Sequence, residues 1–342
     1  MKHPIIHSGS IDFRLPVKPP FIFNAHHLDH YPEGNEKMEP IDYSDKRNNG
    51  DDFDPDAPWR MYHGTSVPGF PVHPHRGFET VTIVEQGFVD HSDSLGSTGR
   101  YGEGDVQWLT AGRGVQHCEM FPLVHQDRPN TLELFQVWLN LPSERKMVKP
   151  YYKMLWNEDI PVVKETDEEG KTTLIKVVAG DYSSTKALEP TPNSWAADEK
   201  NKVTIWLITM EPEATWTLRA TSETAGRMLY LYRGEAISID GEEVENESYA
   251  ELIPNQDITI KNGVKPARLL LLEGEPIPEK VAARGPFVMN TETEILEAIR
   301  DYQRTWFGGW PWERNDHVNP LTAGRFSQYS DGTVEYPKAK TD

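Results

Sequence analysis

From about residue 78 onward, the chain consists of short runs of β-branched and aromatic residues separated by glycine-rich turns, with almost no helical periodicity. The clearest runs are Glu79–Glu85, Val106–Thr110 and Leu132–Leu141. Gln86-Gly87 has the composition of a hairpin turn, and residues 94–105 are interpreted as a run of turns. Many short strands with regular turn spacing are typical of β-sandwiches and β-barrels, so we predict an all-β fold.

The same pattern restarts in the C-terminal half, after a proline-rich loop. Val203–Met210, Met228–Arg233 and Arg268–Leu272 have strand composition, and the turn at Arg233-Gly234 resembles the one at Gln86-Gly87. We therefore predict two tandem β-barrels of similar architecture. The N-terminal domain would span residues 1–155 and the C-terminal domain residues 156–290.

One helix is predicted near the end of the chain. Thr291 followed by Glu294 is a capping-box pattern that marks a helix start. The apolar side chains that follow share one helical face and comprise Ile295, Leu296, Ile299 and Tyr302. Residues 291–342 are thus predicted to form a short helix and an aromatic, proline-rich tail.

Charge and composition exclude several classes of partner. The formal net charge of the 342-residue chain is -19, without a Lys/Arg cluster, so direct nucleic-acid binding and docking to an anionic membrane are not expected. The sequence has neither an apolar run long enough to span a membrane nor a signal peptide, and we expect an intracellular, cytoplasmic protein. Cys118 is the single cysteine, which rules out an internal disulfide and a thiolate zinc site.

Histidines are concentrated in the N-terminal part. Of 12 histidines, all but His317 lie between His3 and His125. His73 and His75 are two residues apart, as are His117 and Glu119, and side chains at this spacing on a strand point to the same face. Two strands that each present such a pair can form a metal site with three imidazoles and one carboxylate.

The residues leave two questions open at this site. Glu79 keeps the parity of His73 and His75, so it is an alternative carboxylate ligand if no bulge shifts the register. Three imidazoles and one carboxylate with open positions accept Fe, Ni, Cu, Mn or Zn, and the sequence does not name the ion.

The motifs around these residues resemble a known family. HxHxxxE before a glycine and GxGxxH resemble the paired cupin motifs, with Gly112 where cupins usually have proline. Residues 73–87 (HPHRGFETVTIVEQG) and 91–122 closely resemble the signature of pirins, as does RGPFVMNTETEILEAIRDYQ at residues 284–303. The resemblance is dense over residues 69–122 and looser elsewhere. The acidic segment 32–59 looks like an insertion, and the tail after Phe307 like an addition.

The resemblance implies a fold and an activity. The fold would be two tandem cupin jelly-roll barrels, the second without metal, and the carboxylate ligand would be Glu119 rather than Glu79. The metal would be Fe(II). Proteins similar to this one open the ring of quercetin-type flavonols with O2 and release carbon monoxide. A small aromatic substrate and O2 are therefore the expected partners, and Glu119 would also accept the substrate proton.

Two other roles are compatible with the same site. Some pirins act as iron-dependent redox sensors that bind a transcription factor or a metabolic enzyme, and an acidic surface suits a protein partner. Alternatively, the metal is structural, which would suit zinc in a closed site.

Overall fold

The structure, a computed structural model, describes residues 3–41 and 47–339 of the chain. In this part of the chain, 24 strands and one α-helix form the fold, so the predicted all-β class with a short C-terminal helix is confirmed. The helix α1 spans Glu292–Thr305. Five single 3-10 turns complete the regular structure of the described residues.

The strands are short and follow one another with few long gaps. In the first half they are β1 (Ile5–Ser10), β2 (Phe21–Tyr31), β3 (Gly69–His75), β4 (Phe78–Gln86), β5 (Phe88–Asp93), β6 (Thr98–Gly102), β7 (Val106–Thr110), β8 (Val115–Met120), β9 (Asn130–Asn140), β10 (Tyr151–Leu155), β11 (Val162–Thr166) and β12 (Thr172–Ala179). In the second half they are β13 (Thr204–Met210), β14 (Thr215–Leu218), β15 (Gly226–Arg233), β16 (Ala236–Ile239), β17 (Glu242–Glu245), β18 (Ser248–Leu252), β19 (Ile258–Asn262), β20 (Ala267–Gly274), β21 (Ala282–Arg284), β22 (Phe287–Met289), β23 (Phe326–Gln328) and β24 (Val334–Glu335).

The chain forms two compact units that do not follow chain order strictly. One unit contains residues 1–25, 138–140 and 159–278, and the other contains residues 26–137, 141–158 and 279–342. The chain passes from one unit to the other after residue 158, close to the domain boundary predicted after residue 155. The N-terminal segment 1–25, however, belongs to the same unit as residues 159–278, and the segment 279–342 belongs to the same unit as residues 26–137. Domain limits of 1–155, 156–290 and 291–342 therefore stay a prediction.

The first unit is a β-sandwich around an apolar core. A seven-stranded sheet has the order β1-β18-β15-β20-β13-β12-β11, and a four-stranded sheet has the order β14-β19-β16-β17. In β19, buried and exposed residues alternate, as expected for a strand with one face on a core. Trp216, Leu229 and Leu271 are among the buried residues of this core.

The second unit carries the histidine pairs. Its larger sheet has the order β24-β23-β6-β5-β8-β3, and a five-stranded sheet has the order β10-β7-β4-β9-β2. All residues of β7 and β8 are buried, so these strands are covered on both faces. Thr82 on β4 donates a hydrogen bond to Glu119 on β8, which shows that the two sheets face each other at the histidines.

The glycine-rich run at residues 94–105 is only partly a turn, contrary to the sequence-based interpretation. Thr98–Gly102 forms β6, which pairs with β5 on one side and β23 on the other. A Cβ on Gly99 would lie 2.6 Å from the carbonyl oxygen of Phe326. A Cβ on Gly102 would lie 2.0 Å from the carbonyl oxygen of Gly87. The glycines therefore permit close backbone packing within a sheet, in addition to their usual role in turns.

The C-terminal helix and tail pack on the second unit. The capping box of Thr291 and Glu294 is present, whereas Leu296 is exposed and Ala298 takes its place on the buried face. The side chain of Gln116 donates hydrogen bonds to the carbonyls of Trp306 and Gly309, at 2.7 and 2.9 Å. The tail thus covers the outer face of β8, opposite to His117. No helix in the described residues has the length and apolarity needed to cross a membrane.

Candidate metal centre

The antiparallel pairing of β3 with β8 brings the two histidine-containing segments together. His73 lies directly opposite His117 in the register. One ring nitrogen from each of His73, His75 and His117 lies within 4.8 Å of the others, so the three can share one ion. Cys118, between His117 and Glu119, points to the other face, where its thiol donates to the carbonyl of His317 at 3.7 Å. Strand parity therefore separates the inward residues from the outward ones, as predicted.

Hydrogen bonds fix which nitrogens are available to a metal. Nδ1 of His73 lies 2.9 Å from the carbonyl oxygen of Pro71. Since a carbonyl only accepts, Nδ1 carries the proton and Nε2 keeps its lone pair. Both ring nitrogens of His117 are buried without a hydrogen-bond partner among the described residues. A metal ion bound by the histidine group would give one of these two nitrogens a partner.

The protonation state of the histidines suits metal binding. Burial lowers the pKa of His73 to about 4 and lowers the pKa values of His75 and His117 well below their ordinary range. All three imidazoles are therefore neutral at pH 7, which is the form that coordinates metals. His75 and His117 are buried, whereas His73 is half-buried, so His73 is the most accessible of the three.

Glu119 lies beside the histidine group and is held by two neighbours. Its Oε1 accepts a hydrogen bond from Thr82 at 3.0 Å, and its Oε2 accepts one from Gln136 at 2.7 Å. Oε2 is 3.8 Å from Nε2 of His117, which is too long for a hydrogen bond. Burial raises the pKa of Glu119, although His91, Thr82 and Gln136 oppose this shift. Its role as the fourth ligand stays a prediction.

Glu79, the alternative carboxylate, is buried on β4. It lies opposite Thr110 on β7, and its Oε1 accepts a hydrogen bond from the Thr110 hydroxyl at 2.6 Å. Among the described residues, the histidine group includes neither Glu79 nor Glu119. What distinguishes Glu119 is its position, with Oε2 3.8 Å from Nε2 of His117.

Separate Glu119→Gln and Glu79→Gln variants test this choice. We expect Glu119→Gln to lower metal affinity by at least the roughly 10- to 100-fold that loss of a ligand-orienting partner costs. Glu79→Gln should retain the metal, since the wild-type carboxylate of Glu79 accepts a hydrogen bond from Thr110. Metal content after dialysis against a chelator measures both. Loss of metal in Glu79→Gln alone would show that Glu79 is the ligand.

His91 lies beside the site, whereas the sequence alone indicates only an ordinary surface or hydrogen-bonded histidine at this position. It is fully buried on β5, opposite Glu119, and its ring centroid lies 5.5 Å from that of His117. Nε2 of His91 donates to Asp93 at 3.2 Å, and the ring stacks on Tyr152. The i, i+2 spacing of His91 and Asp93 was the one signal available. His91 and Asp93 therefore lie beside Glu119 and His117, on the neighbouring strand of the same sheet.

The fold and the site define a class of protein, which is a two-domain cupin with a candidate three-histidine metal site in one barrel. Residues 36–139 match the family model described as Pirin, and residues 205–308 match the Pirin C-terminal cupin domain. In the described residues, the histidine group is the single cluster of three potential metal ligands, and it lies within the first match.

Known proteins of similar sequence and structure agree with these matches. The chain is 36% identical over 240 residues to a pirin-like protein of tomato (Solanum lycopersicum), covering 69% of this chain and 75% of the relative. It is 38% identical to Pirin-1 of Arabidopsis thaliana, covering 69% and 77%. A crystal structure of quercetin 2,3-dioxygenase from Acinetobacter baumannii superimposes with a TM-score of 0.70 at 27% identity, covering 90% of this chain and 98% of that one. The chain belongs to the pirin family, and the predicted tandem cupin fold is confirmed.

Proposed function

We propose that this protein is a metal-dependent dioxygenase that opens the ring of a flavonol or a related aromatic enol with O2. His73, His75, His117 and Glu119 would hold one Fe(II) ion. The observation that carries the proposal is the cluster of three imidazoles within 4.8 Å of one another, of which His73 is half-buried, together with the buried carboxylate of Glu119 beside His117. The structural similarity to a quercetin 2,3-dioxygenase supports it.

The side chains of the site would have different roles in the reaction. Bound Fe(II) would supply Lewis-acid polarisation of the substrate oxygens and redox chemistry with O2. His73, His75 and His117 would hold the ion as neutral imidazole ligands. Glu119 would accept the proton of the substrate hydroxyl, because its carboxylate is fixed next to His117 by hydrogen bonds from Thr82 and Gln136.

Oxygen uptake by Fe(II)-loaded protein supplied with quercetin tests the proposal. We expect uptake in a one-to-one ratio with ring-opened product and carbon monoxide. The reaction should be lost in His117→Ala and retained in His7→Ala, which changes an exposed histidine on β1. Absence of uptake by protein shown to contain iron would contradict the dioxygenase and direct attention to the redox-sensing role.

A further inference from the structure

The segment from Gly50 to His63 is attached by its backbone to the start of β3. Asp52 and Tyr62 exchange two backbone hydrogen bonds of 2.9 and 3.0 Å. The amide of His63 donates to the carbonyl of Gly69, and the amide of Gly69 donates to Met61, both at 3.1 Å. This segment, which the sequence could not assign to a role, is therefore held beside the strand that carries His73 and His75.

Three rings meet where this segment contacts β3. The ring centroid of Phe53 lies 4.9 Å from that of His63 and 6.3 Å from that of Phe70. Phe70 lies 5.8 Å from His63 and 6.4 Å from His73. Behind them, the buried ring of Tyr62 packs on both Phe53 and Phe70. A continuous set of aromatic contacts thus leads from Phe53 to the outermost histidine of the metal centre.

The outer part of this set is open to solvent. Phe53 is 39% exposed, His63 is exposed and Phe70 is half-buried. His63 Nδ1 contacts the carbonyl of Gly50 at 2.9 Å, which fixes its ring in place. Phe53 thus presents an apolar ring to solvent, and Phe70 lies between this ring and His73. Exposed apolar side chains near a group of potential metal ligands are candidates for binding an apolar ring.

We propose that Phe53, His63 and Phe70 form an aromatic wall that binds the planar ring of the substrate while its chelating oxygens reach the metal. The inference rests on the proposed function, because it requires an open metal site at His73. The substrate class it selects is an uncharged aromatic ring carrying a bidentate oxygen group. Aliphatic chelators of the same bite would reach the metal without contacting the wall.

Two hydroxamates, one with a phenyl ring and one with a methyl group, separate the affinity contributed by the aromatic wall from the affinity contributed by the metal. Titration of the full chain loaded with redox-inert Zn(II) gives Kd values for benzohydroxamate and acetohydroxamate without turnover. We expect Phe53→Ala to weaken benzohydroxamate by about 3- to 10-fold, the size of one aromatic contact, and to leave acetohydroxamate unchanged. Phe53→Trp should retain the preference for the ring. Tyr336→Ala, which removes another exposed aromatic side chain of the same unit, should behave as wild type.

The outcomes distinguish the wall from the metal site. If both hydroxamates bind and Phe53→Ala weakens neither, or weakens both equally, the aromatic wall is wrong while the open metal site stands. If neither hydroxamate binds to Zn(II)-loaded wild type, the site is not open to chelators, and the proposed function fails together with the wall. Selective loss of benzohydroxamate affinity, restored in Phe53→Trp, supports the proposal.

Discussion

His117→Ala is expected to abolish tight metal binding, with a larger loss than the roughly 10- to 100-fold caused by changing a residue that only orients a ligand. The ring of His117 lies 4.4 Å from that of His73 and 4.8 Å from that of His75, between centroids. Neither of its ring nitrogens has a hydrogen-bond partner among the described residues, so either nitrogen is available to coordinate a metal ion. Competition with a chelator of known affinity measures the change.

The same variant should also lose stabilisation by metal. A ligand that binds only the folded state stabilises it by about 2.7 kcal/mol at a concentration 100 times its Kd. Wild-type protein should therefore unfold at a higher urea concentration with metal than without it, and His117→Ala should show no difference. His7→Ala, which alters an exposed histidine, should retain the wild-type response. Unchanged metal affinity in His117→Ala would place the metal elsewhere in the chain.

The sequence predicts the histidine group because strand geometry has a period of two. His73 and His75 must share a face, as must His117 and Glu119, whatever the neighbouring strands are. The sequence does not predict whether the two pairs lie next to each other. In the structure they do, because the antiparallel register of β3 with β8 places His73 opposite His117. Local periodicity and one antiparallel pairing are sufficient to build this part of the site.

The remaining parts of the site depend on contacts that local sequence does not encode. His91 joins the site because β5 pairs with the other edge of β8, which places it opposite Glu119. The glycines of Thr98–Gly102 favour turns in a reading of the sequence alone. In the structure this segment is a strand, and Gly99 and Gly102 are needed because neighbouring backbone approaches them closely. Phe53 reaches Phe70 through a long loop without periodicity. The positions of these residues depend on pairing between segments that are distant in sequence, which intrinsic secondary-structure propensity does not predict.

The outer face of the sheet that carries the histidine pairs contains a buried ion pair. Arg100 on β6 lies opposite Asp90 on β5, and its Nε and Nη2 donate to the two carboxylate oxygens of Asp90 at 2.7 Å each. Arg100 also donates to the carbonyls of Asn319 and Pro320 in the tail, at 2.9 and 3.1 Å. Both charged side chains are buried. The pair therefore connects the strands that flank the site to the C-terminal tail.

Asp90→Asn is expected to lower the free energy of unfolding by about 3–5 kcal/mol, because it leaves the guanidinium of Arg100 buried without a compensating charge. The backbone amide of Asn319, which donates to Asp90 at 2.7 Å, would lose its charged acceptor, so hydrogen exchange should rise first in the tail. Asp127→Asn, which breaks an exposed 3.8 Å pair with Arg128, should cause no measurable change in urea unfolding. Equal effects of the two variants would show that burial does not strengthen the Asp90–Arg100 pair. Loss of tail protection without loss of metal would show that the tail stabilises the sheet from outside and leaves the histidine group intact.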